Sequence, residues 1–256
     1  MSGFGGSILA MWLCAALPAL AQDEIPPVDH VLTQLFAYSR QYQASLPSLS
    51  CDESITSQVV KDGKIKKEMK IESTLRELRS GTGVDPFTEQ HEFRTVDGHP
   101  AKPHFEILFF VQGGFANALG FSKEEQKVCY DYRLSKGEDG KTWKLQMALR
   151  PNAVDGVCKA IPEGYRKSVV LDRATGRVIL TEREISAAAA KSMKEIFYVS
   201  VEYGPRKIGE ETLWLPIRMS AHDPANEGRL TVTYSNYHRY TGSMPLKSVD
   251  PAADPH

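Results

Sequence analysis

The sequence has no excess of either charge: 31 Lys and Arg stand against 32 Asp and Glu, a net charge of −1. Without a cationic surplus, nucleic acid is excluded as the main partner, since binding to phosphates needs clustered Lys and Arg. Cysteine is scarce, with four in 256 residues, which is too few for a disulfide-dense scaffold. No internal period is present, so a solenoid or propeller is not expected. Nucleophile patterns are missing as well: there is no Gly-x-Ser-x-Gly elbow, no Ser-x-x-Lys pair and no Cys-x-x-Cys. Gly140-Lys141-Thr142 ends like a phosphate-binding loop. Ser135 stands where that loop needs its first glycine, however, and the segment lies between two strands rather than opening a helix. The acidic residues are scattered, and no carboxylate pair can be nominated for acid–base work. His91, His99 and His104 share a short region, but their spacings fit no single face and the His-Pro neighbours read as loop. Neither an enzyme, nor a metal site, nor a cofactor is expected.

What the chain does have begins at its N-terminus. Residues 8–20 are almost wholly apolar and end on Ala19-Leu20-Ala21, followed by Gln22-Asp23-Glu24. An apolar run closed by small residues is a secretory signal peptide. It is shorter than the roughly 20 apolar residues that span a bilayer. Residues 1–21 are therefore expected to be removed, which places the mature chain in the periplasm or outside the cell, with no transmembrane segment. No Lys or Arg precedes the run, and Cys14 within it goes with the discarded piece. Cys51, Cys129 and Cys158 remain in an oxidising compartment, where they allow one bridge. Cys158 falls in the loop after the strand that follows Cys129, where the chain returns past it. Cys129 and Cys158 are expected to pair and Cys51 to stay free.

The rest, 25% charged and 41% hydrophobic over the whole sequence, has an ordinary globular composition. After Pro26-Pro27, apolar residues at Val28, Val31, Leu32, Leu35, Phe36 and Tyr42 give helical spacing. Pro47 should end that helix near Leu46. Hairpins follow. Residues 54–61 and 64–78 flank Asp62-Gly63, which suits a type I′ turn. Lys61, Lys64, Lys66, Lys67 and Lys70 around it read as a solvated strand face that discourages edge pairing. Residues 89–96 and 105–111 should pair around Asp97-Gly98, and residues 113–119 should turn into a short helix. In residues 127–134, Val128, Tyr130, Tyr132 and Leu134 should face one way and Cys129, Asp131 and Arg133 the other. In residues 143–150, Trp143, Leu145, Met147 and Leu149 alternate with polar neighbours, the pattern of a sheet with one buried face. A hairpin over residues 166–172 and 177–185, a helix or connector over 186–194, and strands over 196–203, 212–219 and 229–240 complete the chain.

The expected fold is mainly β, of the α+β class: a curled antiparallel sheet or open half-barrel of about nine or ten strands covering the N-terminal helix. Residues 22–242 should form a single β-rich domain, and residues 243–256 a disordered tail.

From Val169 onward the order of segments is distinctive. It runs through Leu171-Asp172-Arg173-Ala174-Thr175-Gly176-Arg177-Val178, Val199-Ser200-Val201-Glu202-Tyr203-Gly204, Trp214-Leu215-Pro216-Ile217-Arg218 and Tyr234-Ser235-Asn236-Tyr237-His238-Arg239-Tyr240. This stretch resembles the C-terminal half of the periplasmic lipoprotein-carrier (Lol-type) fold and of exported bacterial proteins that share it. The resemblance implies an open β-barrel wrapped around a helix, with an apolar cavity for acyl chains, and it transfers no catalytic residues. The expected function is a periplasmic or cell-envelope carrier for a hydrophobic ligand, a lipid or lipoprotein acyl chain. Tyr130, Tyr132, Trp143, Leu145, Met147 and Leu149 would line its cavity. The alternatives are a non-catalytic envelope scaffold that meets another envelope protein, and a secreted hydrolase with a nonstandard site. Residue type alone does not separate a cavity wall from packed core.

If Ala19-Leu20-Ala21 is a signal-peptidase site, N-terminal sequencing of envelope-derived protein will read Gln22 or a residue within two of it. Recovery of a mature chain that still begins at Met1 would refute the export reading.

Overall fold

The structure, a computed structural model, is described for residues 24–79, 87–111, 115, 124–151, 153, 156–159, 161, 164–184, 198–223 and 227–242. The apolar periodicity after Pro27 becomes α1, Val28–Ser45, which buries Val31, Leu32, Leu35, Phe36, Ser39 and Tyr42. Leu46 leaves the helix in an extended conformation, as a residue before proline must. The last turn of α1 has no basic residue of its own to meet its free carbonyls. Arg79, from the far end of a strand, supplies one. Its guanidinium donates to the carbonyls of Gln43, Ala44 (3.3 Å) and Leu46 (2.5 and 3.1 Å), and it lies 4.6 Å from the centre of the Phe87 ring. Among the described residues, no helix is long and apolar enough to cross a membrane.

The strands are β1 (Leu49–Lys61), β2 (Lys64–Arg79), β3 (Phe87–Val96), β4 (His99–Pro100), β5 (Tyr130–Lys136), β6 (Thr142–Leu149), β7 (Arg166–Asp172), β8 (Val178–Glu184), β9 (Tyr198–Ile208), β10 (Glu211–Asp223) and β11 (Gly228–Arg239). All eleven join one sheet in the order β4-β3-β2-β1-β11-β10-β9-β8-β7-β6-β5. Two meanders thus run outward from a central pair, β1 with β11, registered from Leu49↔Arg239 to Val59↔Gly228. The sheet curls over α1 and stays open, because β4 and β5 at its two ends do not pair with each other. The turn signals act as their chemistry requires. Asp62 and Gly63 both take positive φ, 52° and 71°, the geometry a type I′ hairpin needs.

Three expectations need correction. Among the described residues the sheet has eleven strands, where about nine or ten were expected. Residues 105–111 do not form a strand. Instead, Ser57 on β1 receives the Phe109 backbone, with its Oγ donating to the Phe109 carbonyl (2.7 Å) and accepting from the Phe109 N–H (2.8 Å). A side chain thus takes the place of a ladder, and the Phe109 ring lies where any Cβ on Gly228 would stand 2.7 Å from it. Glu124–Cys129 forms a 3-10 turn ahead of β5, so alternation does not reach it. Val128 is exposed while Cys129 is fully buried, the reverse of the expected facing. The expected elements at residues 113–119 and 186–194, the signal peptide and the tail lie outside the described residues, apart from the buried Phe115.

The core is one apolar cluster. It joins Val31, Leu32, Leu35 and Phe36 of α1 to the inner face of the sheet, including Ile55, Ile71, Leu75, Leu145, Val169, Val201, Leu215 and Val232. Cys129 and Cys158 form the expected disulfide, with their Cα atoms 5.5 Å apart, and tie the 3-10 turn before β5 to the one at Gly156–Cys158. Cys51 is free and buried.

The bridge closes a loop spanning a sequence separation of 29 residues. Replacing Cys129 and Cys158 together by Ala should lower stability by about 3–4 kcal/mol in the chain-entropy view. Urea unfolding of the double variant against the oxidised parent measures the difference, and the Cys51→Ala variant should leave the bridge intact.

Candidate binding site under the N-terminal helix

Strand register decides which side chains meet beneath α1. The ends of β1 (Leu49), β2 (Glu77) and β11 (Arg239) lie side by side. Arg239 in turn reaches Glu211 at the start of β10, at 2.5 Å. The C-terminal end of α1, held by Arg79, belongs to this same end of the sheet.

Here a cavity of about 340 Å³ opens between α1 and the sheet. Its walls are Tyr38, Gln41, Tyr42, Ser45 and Leu46 from the helix, Thr212, Leu213 and Trp214 from β10, and Thr175 and Arg177 from the β7–β8 turn. That volume is at the small end of the range of ligand pockets, and its wall mixes aromatic and aliphatic side chains with polar ones. The Trp214 indole N–H donates to the Val178 carbonyl at 2.6 Å, which fixes the ring. Arg177 stands over that ring, 5.3 Å from its centre. Tyr38, whose pKa burial raises to about 12 against the opposing charge of Arg177, stays a neutral phenol.

The aromatic and aliphatic stripe of β5 and β6 starts at this end. Trp143 pairs in register with Leu171, and Leu171 with Val178, the residue whose carbonyl Trp214 holds. From there the stripe runs away from the opening to Leu149 and Tyr130, which face each other across the β5–β6 pair. Tyr130, Leu145 and Met147 are buried, and Tyr132, Trp143 and Leu149 are partly so. Tyr132 donates its hydroxyl to the Lys127 carbonyl at 3.1 Å. Lys167, itself buried, places its ammonium 4.7 Å from the Tyr130 ring centre and 5.1 Å from that of Tyr165.

Carboxylates scattered along the sequence come together on the same inner face, a grouping the sequence reading did not find. Glu53 of β1 is buried. It accepts from Ser73 Oγ at 2.7 Å and pairs with His91 Nδ1 at 2.8 Å. Burial works against charge on His91, yet the Glu53 carboxylate and hydrogen bond, with the charge of Glu89, raise its pKa above the ordinary value. Glu89 accepts from the Phe115 N–H at 2.8 Å and lies 3.9 Å from His91 Nε2. Glu77, directly opposite Glu89 in the β2–β3 register, is 1% exposed, and neither of its carboxyl oxygens has a hydrogen-bond partner. Burial, reinforced by the charge of Glu89, pushes its pKa up to about 9, so at neutral pH it holds a proton. Burial also raises the Cys51 thiol far above its ordinary range, with Glu53 adding to the effect, and leaves it unreactive. Phe93 and Phe110 pack on His91, with ring centres 6.0 and 5.0 Å away. His99 and His104 are exposed, so the three histidines do not converge. Among the described residues, no group of three His, Cys, Asp or Glu side chains is arranged to hold a metal ion.

The outer face carries a different hollow, about 530 Å³, lined by charged and polar side chains together with Tyr132 and Met147 of the stripe. At its centre Glu182 accepts from Ser168 Oγ, from Lys144 Nζ at 3.1 Å and from the Tyr198 hydroxyl at 3.1 Å. Burial alone would raise the Glu182 pKa, but these donors and the Lys144 charge lower it. The carboxylate is saturated by its own neighbours.

No protein-family model and no curated relative matches the sequence. Among solved structures, the chain is similar to a domain described as an outer membrane lipoprotein-sorting protein from Vibrio parahaemolyticus, at 11% identity and a TM-score of 0.46 over 85% of this chain and 95% of that one. It is also similar to a LolA superfamily protein from Nitrosomonas europaea (10% identity, TM-score 0.36, 86% and 96% covered). A third is the lipoprotein LppX of Mycobacterium tuberculosis (8% identity, TM-score 0.29, 84% and 99% covered).

The buried Glu77 gives a definite pH dependence. Its folded pKa, about 9, lies above its ordinary value of 4.5, so the folded state binds more protons between these limits and loses stability as pH rises. The groups facing it are Glu89 on β3, Tyr42 on α1 and Cys51 on β1. Glu77→Gln removes the titration, and the variant should gain on the parent by on the order of 3 kcal/mol between pH 5 and pH 8. Urea midpoints across that range measure this, and parallel pH profiles for the two proteins would contradict it.

Proposed function

We propose that the protein is a carrier or binding protein of the cell envelope for a hydrophobic ligand, a lipid or lipoprotein acyl chain. The observation that carries the proposal is the 340 Å³ cavity between α1 and the start of β10, walled by Tyr38, Tyr42, Leu46, Leu213 and Trp214. The sheet is open at both ends and bound to α1 through side chains, so the helix can shift on the inner face without breaking a strand ladder. A chain entering past Arg177 and Trp214 would extend along the stripe of Trp143, Leu145, Met147 and Leu149 toward Tyr132 and Tyr130. Tyr130 and Leu145 now pack against the core, and the ligand would take the place of part of that packing. The envelope location rests on the expected signal peptide at residues 1–21, and the disulfide suits an oxidising compartment.

Ser45 lines the cavity at an exposed position near the end of α1, where a large side chain can fill the space without entering the core. Ser45→Trp should weaken saturable binding of the neutral fluorescent probe N-phenyl-1-naphthylamine by at least about tenfold and leave the thermal transition within a few degrees of the parent. Leu145→Arg tests the deeper wall. Leu145 is fully buried, so a charge placed there without a ligand costs several kcal/mol and should lower the thermal transition sharply. Absence of saturable probe binding by the parent protein would refute the carrier reading.

A further inference from the structure

A cavity that served only a hydrocarbon chain would have no use for an unpaired polar atom in its wall, and this one has the Tyr42 hydroxyl. Tyr42 belongs to the cavity wall. Its side chain is nine-tenths buried and its hydroxyl has no hydrogen-bond partner. Glu77 on β2 is close enough to raise the Tyr42 pKa when its carboxyl is ionised. Glu77 leaves both carboxyl oxygens unpartnered. Behind it stand Glu89, opposite in register, and His91, whose Nε2 is also unpartnered. Arg79, two residues along β2, is committed to the carbonyls of α1, and among the described residues His91 is the one base in the cluster. Leaving such groups buried and unpaired is costly, and a ligand making the missing bonds would remove that cost.

We propose, on the basis of the carrier reading above, that the ligand's polar end is a primary ammonium group, seated between the carboxyl of Glu77 and the hydroxyl of Tyr42 with Glu89 behind. The chemistry fits on three counts. A primary ammonium offers three N–H donors and no acceptor, and the atoms left unpaired here, two carboxyl oxygens and a phenol oxygen, are able to accept them. Glu77 and Glu89, facing each other across one strand pair, repel when both are ionised, and a cation between them turns that repulsion into attraction. The aromatic rings nearby, Tyr42 in the cavity wall and Phe93 and Phe110 on His91, suit a cation better than an anion. A ligand with a carboxylate or phosphate end would instead meet two carboxyl groups. When the ammonium arrives, Glu77 gives its proton to solvent and binds as the carboxylate, so uptake releases a proton. The carried species is thus an amine-bearing amphiphile.

Three ligands with the same twelve-carbon chain separate the possibilities: dodecylammonium, dodecanol and dodecanoate, each below its micellar concentration and titrated calorimetrically at pH 7 in phosphate and in Tris. Dodecylammonium should bind at least about tenfold more tightly than the other two, with release of about one proton. In Glu77→Gln, checked to keep a cooperative thermal transition, the preference should fall below about threefold and the proton release should disappear. Tyr42→Phe, which removes one acceptor and keeps the ring, should reduce the preference by a smaller factor. Binding of dodecanol or dodecanoate as tight as that of dodecylammonium, or a preference that survives Glu77→Gln, would overturn the ammonium site and leave the carrier reading standing. Failure of the parent to bind any of the three would overturn both.

Discussion

The antiparallel pairing of β1 with β11 joins the beginning of the sheet to its end, and the remaining contacts depend on it. Each flanking meander is local, built from hairpins whose turns are encoded within a few residues. A meander alone, however, has one unpaired side and no enclosed face. When Leu49–Val59 ladders with Gly228–Arg239, the two meanders become one curled surface, and α1, which immediately precedes β1, is drawn across its inner side. Arg79 then locks the helix from the end of β2 through the Gln43, Ala44 and Leu46 carbonyls. The disulfide anchors the chain just before β5, where the sheet has a free edge.

The inner face this creates is not uniformly apolar. Its centre is packed by Ile55, Ile71, Leu145, Val169, Val201 and Leu230. Toward the α1 C-terminus it passes into tyrosines, a neutral Glu77 and the Glu53–His91 pair. Apolar burial across the rest of the sheet has to outweigh the penalty for that polar corner, which is a common bargain at functional sites. The outer hollow around Glu182 shows the contrast. There the carboxylate is met by Ser168, Lys144 and Tyr198, and the cluster is complete within itself. Glu77 and Tyr42 are among the buried groups of the described residues whose polar atoms have no hydrogen-bond partner.

Much of the architecture was legible in the sequence because it is decided locally. The spacing from Val28 to Tyr42 and the Leu46-Pro47 step dictate a helix and its end, since both act through the backbone of the residues themselves. Asp62-Gly63 and Asp139-Gly140 dictate tight turns because aspartate and glycine tolerate the conformations such turns impose. The alternation of Trp143, Leu145, Met147 and Leu149 marks one face of a strand whatever lies next to it. Even the Cys129–Cys158 bridge follows from a single hairpin returning on itself.

Only the tertiary structure decided the rest, and in each case through contacts between residues far apart in the chain. Residues 105–111 have the composition of a strand, but Ser57, some fifty positions earlier, captures the Phe109 backbone and no ladder forms. Val128 and Cys129 exchange faces because a 3-10 turn and a disulfide override period-2 alternation. The acidic corner was hidden for the same reason. Glu53, Glu77 and Glu89 each sit at an inward position of their own strand, but inwardness shows only once strand bounds and register are known. Register is set by the pairing of β1 with β2 and of β2 with β3, not by any motif. The sequence alone determined α1 and its end, the tight turns and the alternating face of β6. Which side chains share the space beneath α1 was decided by long-range pairing, because a strand's hydrogen bonds carry no record of their partner until the sheet is assembled.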